Sequence, residues 1–326
     1  MKKLLSIIIF LIILPTSSYT NENIQGLGWL VRRSIDPILT GEFYTQILGL
    51  PELRRRDNEQ AKNIMLWAGR YSVIATNVME QNYYKINNIE DAEIIPIFRA
   101  RNIESMKSIL KSQKIVFISS LDVDDKTIYF LDPSGFVIGI RPAIPKPTLK
   151  PDLYADTLWN DKHNALKGMK NLHGNIQDIG WLRMNVKDPQ ILAEFYNEVV
   201  GLDILNNRDN TVTLHLGGTL SLELIPGGKD RLKPTDRKQV PDVWILRGYQ
   251  ISKFNDKMKK FNVPIINRLN LVGGKLNYYL DPEGHVFGYQ QRKRYIKNDE
   301  KTQRIEDLSA RQDWEKYNIM IKDSVN

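Results

Sequence analysis

The sequence repeats itself over about a third of its length, and this repeat constrains the fold more than any other feature. Two blocks recur in the same order, one at an offset of 152 residues and the other at 149. The first block is Trp29, Asp36, Pro37, Phe43, Tyr44, Gly49 and Leu50, matched by Trp181, Asp188, Pro189, Phe195, Tyr196, Gly201 and Leu202. The second block is Leu131, Asp132, Pro133, Gly135, Val137 and Gly139, matched by Leu280, Asp281, Pro282, Gly284, Val286 and Gly288. Because self-similarity at a fixed spacing marks a duplicated structural unit, we predict two tandem modules, residues 24–142 and 179–291.

Each module shows the local patterns of alternating strands and helices. In the second module the residues from 181 to 186 alternate as in a strand, and Asp188 followed by Pro189 is a typical helix start. Gly201 is placed to end that helix, and two β-prone runs joined by a glycine pair follow it. The Asp281 to Gly284 segment is typical of a tight turn before a last strand. We therefore predict an α+β fold.

The segments outside the repeat have distinct compositions. Residues 1–20 combine two lysines, an apolar run and small polar residues, which is typical of a secretory signal peptide. The apolar run is too short to cross a bilayer, so we predict export to the periplasm or cell exterior, with no stable membrane span after cleavage. Residues 143–178 are predicted to be a linker with a helix, and residues 292–326 a charged helical tail.

Composition excludes several classes of function. The chain has no cysteine, which rules out disulfides and thiolate metal sites. Its formal charge of +8 is spread along the length, without the basic stripe and stacking aromatic residues of a nucleic-acid-binding surface, so no nucleic-acid partner is predicted. The sequence also contains no nucleophile elbow and no phosphate-binding loop. Its oligomeric state stays open.

The repeated residues resemble the vicinal oxygen chelate superfamily, which includes glyoxalase I, bleomycin-resistance proteins and extradiol dioxygenases. The residues that carry the resemblance are Phe43, Tyr44, Leu48, Gly49, Leu50, Asp132, Pro133 and Gly135, with Phe195, Tyr196, Gly201, Leu202, Asp281, Pro282 and Gly284 in the second copy. The resemblance implies tandem βαβββ modules whose mixed sheets curl into troughs.

The resemblance also implies where a divalent metal would bind in such a trough. Enzymes of the superfamily hold it with a histidine at the start of the first strand, a second histidine in a later strand, and a glutamate or glutamine in the final strand. Counting from the repeated motifs, the first-strand positions fall on Trp29 and Trp181, and the final-strand positions on Gly139 and Gly288. The remaining position falls near Pro96 in one copy and Trp244 in the other. Since these residues cannot coordinate such an ion, we predict neither a metal nor another cofactor.

The pattern at these positions supports two interpretations. In the first, Trp29 and Trp181 wall an apolar pocket that stacks an aromatic or cationic small molecule. The ligand-binding candidates are Trp29, Trp181, Trp244, Gly139, Gly288, Arg183 and Arg247. In the second, the tryptophans fill the troughs as core, and the protein has a structural or interaction role.

A third alternative is a metal-dependent lyase, transferase or dioxygenase with relocated ligands. His215 and Glu223 are then the candidate metal ligands, since His215 is a strand histidine that could face the trough. No catalytic residue is predicted under the binding-protein interpretation, and the identity of the ligand is open.

Overall fold

Four βαβββ units follow one another along the chain in the computed structural model. The described residues are 24–68, 73–78, 89–118, 127–142, 175–208, 210–217, 220–230, 233–271 and 274–292. The predicted signal peptide lies outside them, and so do nearly all of the predicted linker and C-terminal tail. Among the described residues, no helix has both the length and the apolar character needed to cross a membrane.

The two units of the first repeat have the same order of elements. Unit 1 consists of β1 (Ile24–Ser34), α1 (Pro37–Gln46), β2 (Glu52–Asn58), β3 (Ala61–Trp67) and β4 (Val73–Val78). Unit 2 consists of β5 (Ile94–Ala100), α2 (Ile103–Ser112), β6 (Phe117–Ile118), β7 (Ile128–Leu131) and β8 (Val137–Pro142). A short 3₁₀ helix, Ile89–Asp91, precedes β5.

The second repeat is built in the same way. Unit 3 consists of β9 (Ile176–Val186), α3 (Pro189–Glu194) with a π-helical continuation (Phe195–Val200), β10 (Ile204–Arg208), β11 (Thr211–His215) and β12 (Ser221–Pro226). Unit 4 consists of β13 (Asp242–Gly248), α4 (Ile251–Lys260), β14 (Ile265–Leu271), β15 (Gly274–Leu280) and β16 (Val286–Arg292). A second 3₁₀ helix, Arg237–Gln239, precedes β13.

The strands form two mixed eight-stranded sheets, and each sheet takes one unit from each repeat. Sheet A joins units 1 and 4 in the order β14-β15-β16-β13-β1-β4-β3-β2, and sheet B joins units 3 and 2 in the order β10-β11-β12-β9-β5-β8-β7-β6. The joining pairs, β1 with β13 and β5 with β9, are antiparallel. The predicted α+β fold with mixed sheets is therefore confirmed. Each repeat contains two βαβββ units rather than one.

The local signals read from the sequence produce the predicted helix starts and turns. Asp36 and Asp188 cap α1 and α3, each accepting two backbone N–H bonds, with proline at the first helical positions. Gly201 ends the π-helical continuation of α3 with a φ of 100°. In the turn before β16, the Asp281 carboxylate accepts N–H bonds from the backbone of residues 283 and 285.

The most strongly repeated residues connect the two units of each repeat. The Tyr44 hydroxyl of α1 donates to the Asp132 carboxylate in the turn before β8, at 3.4 Å. The Tyr196 hydroxyl donates to the equivalent carboxylate of Asp281 at 2.7 Å. Each bond joins a helix beside one sheet to a turn of the other. The two blocks of the repeat therefore recur together because their side chains meet.

A buried arginine forms hydrogen bonds with groups in both sheets. The Arg32 guanidinium of β1 binds the Asp242 carboxylate at 3.2 Å and 3.3 Å, and it also donates to the Tyr44 hydroxyl. It donates further to the backbone carbonyls of Ile94 and Val137 in sheet B. Burial raises the pKa of Asp242 to about 7, against the opposing effect of Arg32.

The helix-covered faces of both sheets share one apolar core. Tyr44 of α1 contacts Phe98 of sheet B, and Tyr196 contacts Trp244 of sheet A. The opposite faces carry two separate smaller clusters. We call these faces trough A, lined by Trp29, Val31, Val243, Ile245 and Tyr278, and trough B, lined by Trp181, Ile95, Ile97, Tyr129 and Val137.

Candidate functional site

The two repeated tryptophans lie in different troughs, so the predicted single pocket between them is wrong. Trp29 is in trough A with Gly288, and Trp181 is in trough B with Gly139. Each trough thus combines a tryptophan from one repeat with a glycine from the other. This exchange follows from the pairing of units between repeats.

The strand registers place these residues at one level in each trough. In sheet A, Trp29 pairs with Ile245, and Ile245 pairs with Gly288. In sheet B, Trp181 pairs with Ile97, and Ile97 pairs with Gly139. Ser221 of β12 pairs with Trp181 from the other side.

An isoleucine fills the space over each repeated glycine. A Cβ at Gly288 would lie 2.9 Å from Ile245 Cγ1, and a Cβ at Gly139 would lie 2.8 Å from Ile97 Cγ1. Both distances are shorter than van der Waals contact, so a larger residue requires the isoleucine to move. The glycines therefore make room for isoleucine packing and leave no opening at this point.

The residues that face the troughs near the predicted third ligand position are the neighbours of Pro96 and Trp244. Since successive side chains of a strand point to opposite faces, the trough-facing residues of β5 and β13 are Ile97 and Ile245. Trp244 lies on the helix-covered face, fully buried and stacked on Phe287 at a centroid distance of 5.8 Å. It does not line either trough.

Two further arginines pack over the glycines that precede the repeated tryptophans. The Arg247 side chain passes over Gly28, where a Cβ would lie 3.1 Å from the Arg247 Cβ. The Arg99 side chain passes over Gly180 in the same way, and a Cβ at Gly180 would lie 2.8 Å from the Arg99 Cγ. Arg247 is thus a trough A residue, and Arg99 is its counterpart in trough B. Sequence reasoning missed Arg99 as a trough residue. The one signal for it was the repeated Gly-Trp pair at positions 28–29 and 180–181, whose glycine leaves room for an arginine side chain.

Trough B carries a charged network around Trp181. The Arg141 guanidinium carbon lies 4.4 Å from the centre of the Trp181 ring, and that of Arg99 lies 5.9 Å from it. The Glu223 carboxylate binds Arg141 at 2.7 Å and Arg183 at 2.8 Å. Arg99 binds the carboxylate of Asp178, the residue that precedes Trp181 by three positions, through two bonds of 2.6 Å and 2.7 Å.

The arginines keep the Glu223 carboxylate ionised. Burial raises the pKa of Glu223, but the charges and hydrogen bonds of Arg141 and Arg183 outweigh it, so this pKa lies below its usual value. Arg183 also donates to the Tyr129 hydroxyl, and Arg141 donates to the Thr127 hydroxyl at 2.9 Å. The network therefore holds both guanidiniums in fixed positions.

Trough A is apolar at the positions of Arg183 and Glu223, but it keeps polar residues at those of Arg99 and Arg141. Arg183 and Glu223 pair across β9 and β12, and the residues at the same positions of β1 and β4 are Val31 and Ala75. Arg141 pairs with Arg99, whereas in trough A the partner of Arg247 is Gln290. Gln290 accepts a bond of 2.7 Å from the Trp29 indole N–H.

Trough A has its own polar residues at one end. The Arg33 side chain is buried there and donates to the Val240 carbonyl at 3.0 Å. Burial and the neighbouring charge of Arg237 lower the pKa of Arg33 to about 10. The Arg237 guanidinium carbon lies 5.2 Å from the centre of the Tyr278 ring. At the position of Arg33, trough B has the neutral residue Asn185.

Solved structures with the same architecture identify the fold. A candidate dioxygenase from Bacillus subtilis subsp. subtilis strain 168 matches 83% of this chain and 86% of its own, with a TM-score of 0.57 and 10% identity. Glyoxalase I from Zea mays matches 83% of this chain and 94% of its own, with a TM-score of 0.55 and 16% identity. A point mutant of the same enzyme matches 84% of this chain and 96% of its own, with a TM-score of 0.56 and 16% identity.

The chain has the vicinal oxygen chelate fold. Comparison with protein-family models and with curated proteins gives no match. At these sequence identities the similarity establishes the architecture and leaves the activity open.

In both troughs, the residues at the predicted metal-ligand positions do not fit a divalent cation. Tryptophan, isoleucine and glycine side chains supply no ligand atom, which leaves the Ser221 hydroxyl of trough B. Within the described ranges, no group of three or more histidine, aspartate or glutamate residues is arranged to hold a metal ion.

The relocated ligands considered from the sequence do not supply an alternative metal site. The Glu223 carboxylate is bound by two guanidiniums, so a cation at Glu223 would have to displace one of them and meet the charge of the other. The backbone of His215 pairs with that of Ser221, and its side chain is buried in β11.

We predict that Gly288→Ala destabilises the protein through a clash with Ile245. Overpacking of this kind costs about 1–3 kcal/mol, which should lower the melting temperature by several degrees. Combining it with Ile245→Ala should give less destabilisation than the sum of the two single changes, measured by denaturant unfolding. Strict additivity of the two changes would contradict the packing of Ile245 over Gly288.

Proposed function

We propose that this chain is a small-molecule-binding protein whose ligand occupies trough B and needs no metal ion. The observation that carries the proposal is the difference between two equivalent sites. Trough B has Arg183 and Glu223 where trough A has Val31 and Ala75. Burying ionised groups costs free energy unless they are paired. Trough A indicates that these positions of the fold can be filled with apolar residues, so stability alone does not explain the charges beside Trp181.

We assign trough A a structural role, as packed core, rather than a ligand-binding one. Its lining forms a continuous apolar cluster of Val31, Ala75, Val240, Val243, Ile245, Leu276, Tyr278, Leu280 and Val286. All of these side chains are buried. The interpretation of a filled trough, left open by the sequence, is thus favoured for trough A.

Trp181 and its neighbours supply the elements that a ligand site requires. Trp181 is partly exposed, as is Trp29, whereas Trp244 is fully buried. Fixed guanidiniums and hydroxyl groups surround the Trp181 ring. An aromatic surface with a few oriented polar groups is the usual composition of a small-molecule site. The ligand-binding candidates retained from the sequence are therefore Trp181 and Arg183, to which Arg141, Arg99 and Glu223 are added.

We also propose that the protein is exported, because residues 1–20 have the composition of a signal peptide. Expression of the full chain in a bacterial host and N-terminal sequencing of the mature protein test this. The expected product begins after cleavage near Ser18 or Thr20. Recovery of the intact N-terminus from the cytoplasm would contradict export.

The proposal predicts that Trp181→Ala weakens ligand binding far more than the matched change Trp29→Ala. A thermal-shift screen of small aromatic molecules first supplies a ligand, since a ligand of the folded state raises the melting temperature. Titration calorimetry then measures its affinity for both variants. We expect a loss of at least about tenfold for Trp181→Ala, equal to about 1.4 kcal/mol, and about twofold or less for Trp29→Ala.

Three outcomes would contradict the proposal. Equal losses of affinity in the two variants would indicate a general effect on folding, and a larger loss for Trp29→Ala would place the ligand in trough A. Loss of wild-type binding after treatment with a chelator would show that a metal is required. Circular dichroism of both variants serves as the folding control.

A further inference from the structure

We propose that Arg33 and Arg237, at one end of trough A, bind a small inorganic oxyanion of the phosphate or sulfate class. This end lies outside the packed apolar layer of trough A, which keeps its structural role, and it is separate from the ligand site of trough B. The inference depends on a buried arginine nitrogen that meets no acceptor and on a second guanidinium beside it.

The Arg33 guanidinium is buried and only partly hydrogen-bonded. The residue is 3% exposed, and its Nη1 donates to the Val240 carbonyl at 3.0 Å. Its Nη2 is also buried, and it meets no hydrogen-bond acceptor within the described part of the chain. A buried donor without an acceptor loses its hydration and gains nothing in return, and the loss is greater for a charged group. An acceptor bound at Nη2 would therefore stabilise the folded state.

A second guanidinium, that of Arg237, lies close to the first. Arg237 begins the 3₁₀ helix that leads to Val240, whose carbonyl binds Arg33. Its guanidinium carbon lies over the Tyr278 ring, and its charge lowers the pKa of Arg33, as burial does. Two like charges repel each other strongly where water is excluded, and an anion between them replaces the repulsion with two attractions. The fork of N–H donors on a guanidinium matches the oxygen atoms of a phosphate.

The nearby carboxylates are bound to other groups. Asp242 is bound by Arg32 through two bonds. Asp236 caps the 3₁₀ helix and accepts a bond of 3.0 Å from the Asn267 amide. Within the described ranges, neither carboxylate forms a salt bridge with the two guanidiniums at this end of the trough. Both raise the pKa of the buried arginine, but its burial and the second guanidinium outweigh them.

The equivalent end of trough B is built without these charges. Asn185 holds the position of Arg33. Counting back from the isoleucines that pair with the tryptophans, Ile89 holds the position of Arg237. The Asn185 amide donates to two backbone carbonyls, at 2.8 Å and 2.5 Å, and Ile89 packs into the apolar cluster of trough B. Neutral and apolar residues thus fill this place in the fold, so stability alone does not explain the two arginines of trough A.

Calorimetric titration of phosphate into protein dialysed against chloride tests the inference. We expect saturable binding to the wild-type protein. Arg237→Gln should weaken it at least about tenfold, because a charge-assisted hydrogen bond is lost. Arg33→Asn, which reproduces the Asn185 arrangement of trough B, should abolish it. Phenyl phosphate should bind more weakly than phosphate, because its ring finds no space beside the buried Arg33 and Tyr278 side chains.

Arg55→Gln is the control with the same change of charge. Arg55 forms ion pairs with Glu42 and Glu52, away from trough A, so its loss should change the phosphate affinity by about twofold or less. Melting temperatures supply a second measurement. Phosphate and sulfate stabilise proteins in general by exclusion from their surface, but a specific site gives a rise that saturates at low concentration. That rise should occur in the wild type and Arg55→Gln and be lost in Arg237→Gln.

Several results would overturn the inference. One is the absence of saturable phosphate binding together with the absence of phosphate and sulfate, by ion chromatography, from the denatured protein. Equal affinities in Arg237→Gln and Arg55→Gln would also overturn it, as would tighter binding of phenyl phosphate than of phosphate. If Arg33→Asn fails to fold, the comparison of Arg237→Gln with Arg55→Gln still decides the question. None of these results bears on the ligand of trough B, which the Trp181→Ala comparison tests.

Discussion

A buried guanidinium holds the two sheets of this protein together, and the position of both troughs depends on it. Arg32 lies in sheet A, binds Asp242 of the same sheet, and donates to two backbone carbonyls of sheet B. Removing one partner of such a buried charged group is strongly destabilising, because the other is left uncompensated. Together with the bonds from Tyr44 and Tyr196, it fixes the helix-covered faces relative to each other around the apolar core that they share. The other two faces therefore form separate troughs.

Each trough is built from both repeats, and the two have diverged around their tryptophans. In trough A an isoleucine, valines and a tyrosine pack into a continuous apolar layer. In trough B the same framework carries Arg141, Arg183 and Glu223. The repeated tryptophan consequently has two environments. Trp29 donates to a glutamine, whereas Trp181 lies beneath a guanidinium.

Much of the architecture could be predicted from the sequence because its signals are local. The helix caps at Asp36 and Asp188 and the turn at Asp281 depend on residues within a few positions of one another. The exchange of units between repeats could not be predicted, since it depends on pairing between β1 and β13, which are far apart in the chain. For the same reason the sequence placed Trp29 and Trp181 around one pocket.

The candidate site was predicted only in part, and the errors have physical causes. Trp181, Gly139 and Arg183 do lie in one trough. Trp244 was misplaced because a shift of one residue along a strand exchanges its two faces. Arg141 comes from the first repeat and meets Trp181 of the second, so no local pattern indicates their contact.

In both troughs, isoleucine, tryptophan and glycine occupy the positions predicted for the metal ligands, and we infer that neither trough binds a metal ion. Elemental analysis of the purified protein, combined with calorimetric titration of Zn²⁺, Ni²⁺, Mn²⁺ and Fe²⁺, tests this. We expect substoichiometric metal content and no saturable binding of any of these ions. One tightly bound metal ion per trough, or per chain, would contradict it.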